Sequence, residues 1–326
     1  GTPVAHDHRK IDPSVGGTVF ERYFTGKNEA NYVAPNTIFM TTNYVNLVAL
    51  ETGDGLILVD TGMMEAGPTV LEEIRKLTKA PLHTVIFTHG HMDHAFGLKP
   101  WLEAGEKPRV IAHENVIRRF RTYMRTAPMN ININRNQFGI VADIHWPDKE
   151  ELFTRPDTTY RYQHTLHIGG EIFELYHAKG ETDDATWVWA RDRGIVCSGD
   201  TYVGMLPHCG NPQKVQRYAE EWADGLEAIA SVGAELLLPG HGHPMEGKEE
   251  IRRRCLITAE ALRAIVKQTL DGRNAGLTHE DIVASIKIPE HLAKEPFVDP
   301  LYDRPEFSAR TLSRRYGGGW YGVSCL

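Results

Sequence analysis

The sequence predicts a mixed α/β fold in which two β-sheets pack face to face between outer layers of helices, an αββα sandwich, followed by a helical C-terminal segment. Up to about residue 246, apolar runs of strand length alternate with amphipathic helical patterns, an order typical of sheets flanked by helices. After residue 247 the periodicity is helical and no strand pattern recurs. Because 326 residues is long for one core, we expect one large domain plus a smaller appendage.

The predicted strands are short apolar runs separated by turn signals, such as Thr52–Gly55 between the second and third runs. Trp187 and Trp189 alternate within one run, which is more typical of core residues than of a cofactor-binding wall. The predicted strands are Thr37–Thr41, Tyr44–Glu51, Gly55–Asp60, His83–Phe87, Val110–Ala112, Tyr160–Ile168, Glu171–His177, Thr186–Arg191, Gly194–Ser198 and Leu236–Pro239.

The predicted helices are segments in which apolar residues recur at helical spacing. The run from Leu277 to Asp281 has the pattern of a capped helix start, and Pro305 suits the first turn of the last helix. The predicted helices are Glu65–Thr78, Glu114–Thr126, Val215–Ala230, Glu249–Leu270, Ile282–Ile286 and Pro305–Tyr316.

We divide the chain into an N-terminal arm (1–36), a main domain (37–246) and a helical segment (247–326). The arm is polar, rich in Gly, Pro and Asn, and lacks periodicity. Within the main domain, Met124, Met129 and the Asn-rich stretch Asn130–Asn136 are a candidate lid over the site. An irregular surface loop is the alternative for this stretch.

Composition excludes several classes of protein. A net charge of −7 disfavours a nucleic-acid partner, and no apolar run reaches the roughly 20 residues that a membrane span needs. Four cysteines, none in a CxxC pair, are too few for a disulfide framework. The chain begins at Gly1 without a charged and then apolar leader, so a signal segment is expected to be absent or removed. The compartment, cytoplasmic or periplasmic and secreted, is left open.

The strongest chemical signal is residues 88–94, which read THGHMDH directly after a predicted buried strand. Imidazole and carboxylate groups are common ligands of hydrolytic metal ions. The spacing suits two ions, with His89 and His91 directed toward one and Asp93 and His94 toward the other. A solvated His-rich loop is the alternative interpretation.

Three further pieces follow predicted strands. They are GETDD at residues 180–184, Gly199-Asp200, and PGHGHP at residues 239–244. Each lies at the carboxyl end of a strand, where loops cluster along one rim. The motifs together, in this order, indicate a metal site far more specifically than any one of them does.

These motifs resemble the metallo-β-lactamase fold of dinuclear metallohydrolases over about residues 35–246. In most of that superfamily a histidine stands where this chain has Glu181. The alkylsulfatase branch instead has a glutamate at that position and a second carboxylate nineteen residues later. This chain resembles that branch, because Asp200 stands nineteen residues after Glu181. The helical segment resembles the dimerisation region of that branch and its closing YGGWYDG-type segment, altered here at residues 316–322. A homodimer is therefore expected.

The resemblance implies that His89, His91 and Glu181 hold one ion. It implies that Asp93, His94 and His241 hold the other, with Asp200 bridging. Three carboxylates and one hydroxide would balance the charge of two divalent ions, so the centre could hold a hydroxide near neutral pH. Zinc is the default metal, and the extra carboxylate makes manganese or iron alternatives.

Further roles are assigned around the metals. Asp60 is expected to support the metal ligands by hydrogen bonding, with a helix N-cap or turn role as a compatible alternative. His243 is expected beside the ligand His241. Asp93 is also placed among the catalytic residues, and His208 is a candidate for substrate contact and general acid catalysis.

The resemblance also implies an anion-binding site formed by Lys214 or Arg217, with His208 nearby. A lysine keeps the charge but loses the bidentate recognition of an oxyanion that arginine provides. The alternative is that both cations are surface charges on a helix.

The predicted function is a metal-dependent hydrolase whose bridging hydroxide attacks a small-molecule ester, by resemblance an alkyl sulfate. One rival is a hydrolase of the same fold that acts on a lactone, carboxylic ester or phosphoester. Another is a diiron redox or metal-binding protein that hydrolyses nothing. A β-lactam substrate is disfavoured because Glu181 replaces the usual histidine ligand.

Overall fold

The computed structural model describes residues 28–42, 44–138, 145–210, 214–302 and 304–317. Its first sheet has seven strands in chain order, antiparallel from β1 to β4 and parallel from β4 to β7. The strands are β1 (Ala30–Ala34), β2 (Thr37–Thr42), β3 (Val45–Thr52), β4 (Gly55–Val59), β5 (Leu82–Ile86), β6 (Arg109–His113) and β7 (Thr158–Tyr160).

The second sheet has six strands in the order β13-β12-β11-β10-β9-β8. Its β11 and β12 are parallel, and its other neighbouring strands are antiparallel. The strands are β8 (Gln163–Ile168), β9 (Glu171–His177), β10 (Thr186–Ala190), β11 (Ile195–Gly199), β12 (Leu236–Pro239) and β13 (Met245–Glu246).

Helices cover the outer face of each sheet. Three short 3₁₀ turns lie at Glu150–Leu152, Arg191–Arg193 and Pro296–Val298. The α-helices are α1 (Gly67–Leu77), α2 (Met92–Ala95), α3 (Lys99–Glu103), α4 (Asn115–Arg125), α5 (Ala127–Phe138), α6 (Ala219–Ser231), α7 (Lys248–Asn274), α8 (His279–Ser285), α9 (Glu290–Ala293) and α10 (Pro305–Gly317).

Three hydrophobic clusters hold the layers together. One lies between the sheets and includes Ile57 and Val188. A second joins the first sheet to helices such as α1. The third joins Trp187 and Trp189 of the second sheet to α6 and the C-terminal helices. The αββα prediction is therefore confirmed, and both tryptophans are core residues.

The structure corrects two strand predictions. The sheet begins at Ala30, inside the segment predicted as an irregular arm, because β1 pairs with β2 along the edge of the first sheet. The run Tyr160–Ile168 is not one strand. It divides after Tyr160, so that β7 ends the first sheet while β8 begins the second.

Two helix predictions also change. The helix predicted over Val215–Ala230 begins only at Ala219. The Asn-rich stretch is helix α5 and not an irregular loop. Its asparagine side chains bond to the backbone one turn earlier: the amide of Asn130 donates to the Thr126 carbonyl and that of Asn134 to the Asn130 carbonyl.

The C-terminal helices pack on the second sheet and share its core. Helix α8 has the predicted cap, with Thr278 Oγ1 accepting from the Asp281 backbone N–H at 3.1 Å. Most of the predicted arm (residues 1–27) and the closing segment from residue 318 onward lie outside the described residues. Among the helices described, none combines the length and apolar character required for a transmembrane helix.

Candidate metal centre

The predicted site residues follow the carboxyl ends of five strands. Asp60 follows β4, the THGHMDH loop follows β5, Glu181 follows β9, Asp200 follows β11 and His241 follows β12. The two sheets are joined at this rim by the buried Asn46 of β3. Its side-chain amide donates to the carbonyls of residues 239 and 242, and its backbone N–H donates to that of residue 240. The loops from both sheets therefore meet at one edge of the sandwich.

Two groups of side chains converge there, each with ligand-type atoms within 4.8 Å of one another. Asp200 lies between the groups: its Oδ2 is 3.6 Å from His89 Nε2 and 3.3 Å from His241 Nε2. The structure thus brings together all seven residues predicted as ligands. The groups are His89, His91, Glu181 and Asp200, and then Asp93, His94 and His241.

The donor set fits divalent ions. His94 Nδ1 donates to Asp60 Oδ2 at 2.8 Å and His241 Nδ1 donates to the Tyr44 carbonyl at 2.8 Å. In the neutral form that binds a metal ion, both rings carry their proton on Nδ1, and the two Nε2 lone pairs then face each other at 3.3 Å. A cation between them removes that repulsion, and outward hydrogen bonds of this kind are typical of metal-binding histidines.

Asp60 supports both groups. Besides His94, its carboxylate accepts from the Thr88 backbone N–H and hydroxyl, both at 2.7 Å, and Thr88 Oγ1 lies 3.1 Å from His89 Nδ1. Asp60 is buried and has a φ of 62°, a conformation that non-glycine residues adopt mainly where the surroundings enforce it. It is not a helix N-cap, because the cap of α1 is Ala66.

The electrostatics of the side chains differ between the groups. Burial lowers the pKa of His89 well below its ordinary value. Burial acts in the same direction on His94, but Asp200, Asp93 and Asp60 outweigh it and raise the pKa of His94 well above the ordinary value. His94 therefore holds a proton more strongly than His89 does, and the acidic side chains around His94 favour positive charge at that position.

Arg217 is buried and its Nη1 lies 2.5 Å from Glu181 Oε1. Although burial raises the pKa of Glu181, Arg217 and the neighbouring histidines hold it well below the ordinary value. Glu181 Oε2 faces His89 and His91 at 3.9 and 3.8 Å. One carboxylate oxygen thus contacts the arginine while the other faces the first group.

Lys214 and Arg217 are not surface charges on a helix, because both precede α6. Lys214 Nζ donates to Asn134 Oδ1 at 3.3 Å, and burial lowers its pKa to about 8.

His208 is buried, and its ring meets the Tyr302 ring edge to face at 4.6 Å. By contrast, His243 is exposed and belongs to neither group.

A cavity of about 420 Å³ opens above the two groups. Its wall includes His208, Lys214 and Arg217, as well as apolar and aromatic side chains that sequence analysis did not assign to the site. Helix α5 forms part of this wall, which agrees with the candidate lid. Ile133 of α5 also lines the cavity, and the wall residues that were not predicted include Tyr44, Met92, Arg119, Trp146, Met205 and Tyr302.

Residues 40–241 match the Metallo-beta-lactamase superfamily. The chain belongs to this superfamily. The predicted resemblance is confirmed by its relatives, and a linear primary-alkylsulfatase from Pseudomonas sp. (strain ATCC 19151) is 26% identical over 84% of this chain. A Beta-lactamase-like protein 2 homolog from Drosophila melanogaster is 25% identical over 65% of this chain and 63% of its own length.

Solved structures show the same superfamily fold. The stereoselective inverting sec-alkylsulfatase Pisa1 from Pseudomonas sp. superposes with a TM-score of 0.79 at 18% identity, over 90% of this chain. A metallo-beta-lactamase family protein from Thermus thermophilus has a TM-score of 0.59 at 19% identity, over 88% of this chain and 95% of its own. This chain spans only 56% of the Pseudomonas alkylsulfatase and 51% of Pisa1.

Proposed function

We propose that this protein is a metal-dependent hydrolase of alkyl sulfate esters. The observation that carries the proposal is the position of the two ligand groups beneath a largely apolar cavity whose wall includes Lys214 and Arg217. An alkyl sulfate has a negatively charged head and an apolar chain. The head matches the cationic part of the cavity wall, and the chain matches its apolar part. The similarity to alkylsulfatases adds independent support.

The seven converging residues would hold two divalent ions, with Asp200 shared between the groups. Zinc is the default occupant because histidine nitrogens and carboxylates are among its usual ligands, and manganese or iron are alternatives. Bound there, two such ions would supply hydroxide near neutral pH and stabilise the negative charge that develops on the substrate.

The chain itself would bind and orient the substrate. Lys214 would attract the sulfate group, and Arg217 would add positive charge while it binds Glu181. We assign His208 as the acid that donates a proton to the leaving oxygen, because it is a buried cavity residue whose ring is held by Tyr302. The alkyl chain would lie against Met92, Ile133 and their apolar neighbours.

The test is sulfate release, measured by ion chromatography, from a panel of primary and secondary alkyl sulfates with zinc or manganese supplied separately. We expect metal-dependent release, loss of activity and lower metal content in Glu181→Ala and Asp200→Ala, and no change in Glu103→Ala, a control for removing an exposed carboxylate. Absence of sulfate release from protein that binds two ions would refute the substrate assignment. A lactone, carboxylic ester or phosphoester would then be tested.

The expected homodimer is a separate proposal. The described C-terminal segment carries exposed apolar side chains at Leu277, in the loop before α8, and at Tyr316 of α10, but its helices share the core of the second sheet. Light scattering of the purified protein should give twice the mass of the 36.7 kDa chain. A mass equal to one chain at micromolar concentration would refute the homodimer.

A further inference from the structure

The two aspartates that end the GETDD motif have no role in the mechanism above, yet Asp184 is completely buried. Its Oδ2 accepts from Arg119 Nε at 2.7 Å and from the Gly90 backbone N–H at 3.2 Å. Gly90 is the residue between His89 and His91. A buried carboxylate outside the metal groups therefore contacts the peptide that joins two of the predicted ligands.

The loop approaches the ion pair of Arg119 and Asp184 closely at Gly90. A Cβ added at Gly90 would lie 2.9 Å from Arg119 Cδ and 3.1 Å from Asp184 Oδ2. Glycine at this position thus allows the loop to approach the ion pair closely. The hydrogen bond from Gly90 to Asp184 therefore holds the backbone between the two ligand histidines.

The neighbouring Asp183 supplies a built-in comparison. It also binds arginines, since its Oδ1 lies 2.7 Å from Arg119 Nη2 and its Oδ2 binds Arg118. It is less buried than Asp184, and its side-chain hydrogen bonds go to the α4 side chains of Asn115, Arg118 and Arg119. Asp183 therefore shares the arginine contact of Asp184 but not the contact with the metal loop.

We propose that Asp184, held by Arg119, is a positioning residue that orients His89 and His91 for metal binding. This inference rests on the metal centre proposed above. Groups that orient metal ligands by hydrogen bonding commonly change metal affinity by about 10- to 100-fold when they are removed. The effect should be confined to the first group, because the hydrogen bonds of Asp184 described above reach the peptide between His89 and His91 and not the ligands of the second group.

The experiment measures zinc affinity by competition with a chromophoric chelator, in backgrounds that isolate each group. Asp93→Ala weakens the second group so that the first can be titrated, and Glu181→Ala does the reverse. In the Asp93→Ala background, Asp184→Ala should lower zinc affinity about 10- to 100-fold. In the Glu181→Ala background, its effect should be smaller than about threefold.

Asp183→Ala is the matched control and should leave zinc affinity of the first group within about threefold of its parent. Asp184→Asn, which keeps an oxygen that can accept from Gly90, should lie between the wild type and Asp184→Ala. Asp184→Asn also tests the role of Asp184 in zinc binding if Asp184→Ala does not fold, because the amide is nearly the same size as the carboxylate. Circular dichroism melting curves confirm folding of each variant.

Equal losses in Asp183→Ala and Asp184→Ala would overturn the inference, because they would assign the effect to the arginines alone. Unchanged zinc affinity in both Asp184 variants would overturn it as well. Failure of the wild-type protein to bind zinc, manganese or iron would instead refute the proposed metal centre. Two bound ions without sulfate release would refute only the proposed substrate.

Discussion

The buried pair between Arg217 and Glu181 makes a quantitative prediction about the metal-free protein. Arg217 is 4% exposed, the Glu181 side chain is 13% exposed, and their closest N–O distance is 2.5 Å. Charge centres about 4 Å apart interact by about 4 kcal/mol at an effective dielectric constant of about 20. Removing one partner of such a buried pair generally costs about 3–5 kcal/mol. Arg217→Gln should therefore lower the free energy of unfolding by about that amount.

Arg217 also donates to the His208 carbonyl at 3.0 Å, so the cost of the ion pair must be separated from that of this hydrogen bond. Urea unfolding in the presence of a chelator, for the wild type, Arg217→Gln, Glu181→Gln and the double variant, forms a double-mutant cycle. In the Glu181→Gln background Arg217 is an unpaired buried charge, so Arg217→Gln should cost no more than the about 0.5–1.5 kcal/mol of the remaining hydrogen bond.

The pH dependence gives the same pair a second test. Since Arg217 helps to hold the pKa of Glu181 below its ordinary 4.5, folding is stabilised above that ordinary value. The stabilisation is lost as the pH falls through the lowered pKa of the folded state. The difference in the free energy of unfolding between the wild type and Arg217→Gln should thus be largest at pH 7 and become smaller at acidic pH. If Arg217→Gln lowered the free energy of unfolding by less than about 1 kcal/mol at pH 7, the reasoning would be refuted. An equal loss in the wild-type and Glu181→Gln backgrounds would refute it as well.

Three other perturbations test the rest of the site. Because the pKa of Lys214 is about 8, its charge is lost above that pH, and KM for an alkyl sulfate should rise about tenfold by pH 9; Lys214→Met should show a high, pH-independent KM. Asp60→Asn removes the charged acceptor of His94 Nδ1 and should weaken zinc binding about 10- to 100-fold in a chelator competition. Tyr302→Phe removes the hydroxyl that accepts from Gln137 Nε2 at 2.8 Å, so urea unfolding should show a loss of about 0.5–1.5 kcal/mol. Gln137→Leu should show a similar loss, and unchanged stability in both variants would argue against the link.

The ligand groups could be predicted from sequence because strand ends bring them together. A buried strand is recognisable as a short apolar run, and parallel neighbours such as β4 and β5 end at the same edge. Polar residues that follow those runs therefore share one rim, whatever the intervening loops do. That reasoning placed Glu181, Asp200 and His241 correctly with the THGHMDH loop, although they are far apart in the chain.

The polar network around the ligands could not be predicted in the same way. The contact of Asp184 with Gly90 joins residues 94 positions apart, and Asp184 follows an acidic neighbour that looks equivalent to it in the sequence. Composition and periodicity do not distinguish a carboxylate aimed at a backbone N–H from one aimed at solvent. Only the three-dimensional path of the loop makes Asp184, and not Asp183, the contact of the metal-binding turn.

The cavity wall was predicted least well, because the segments that form it lack hydrophobic periodicity. The side-chain amides of α5 bond to the backbone one turn earlier. Residues 214–218 are an irregular segment before α6, although the sequence pattern predicted that the helix begins at Val215. Tyr302 reaches the cavity from a bend in the chain before α10. Residues in these segments can change without disturbing the strand ends that hold the ligand groups. We therefore expect substrate specificity to be determined mainly by these segments. Exchange of α5 residues should therefore alter KM across a panel of alkyl chain lengths while zinc content stays constant, and a fall in zinc content would contradict this separation.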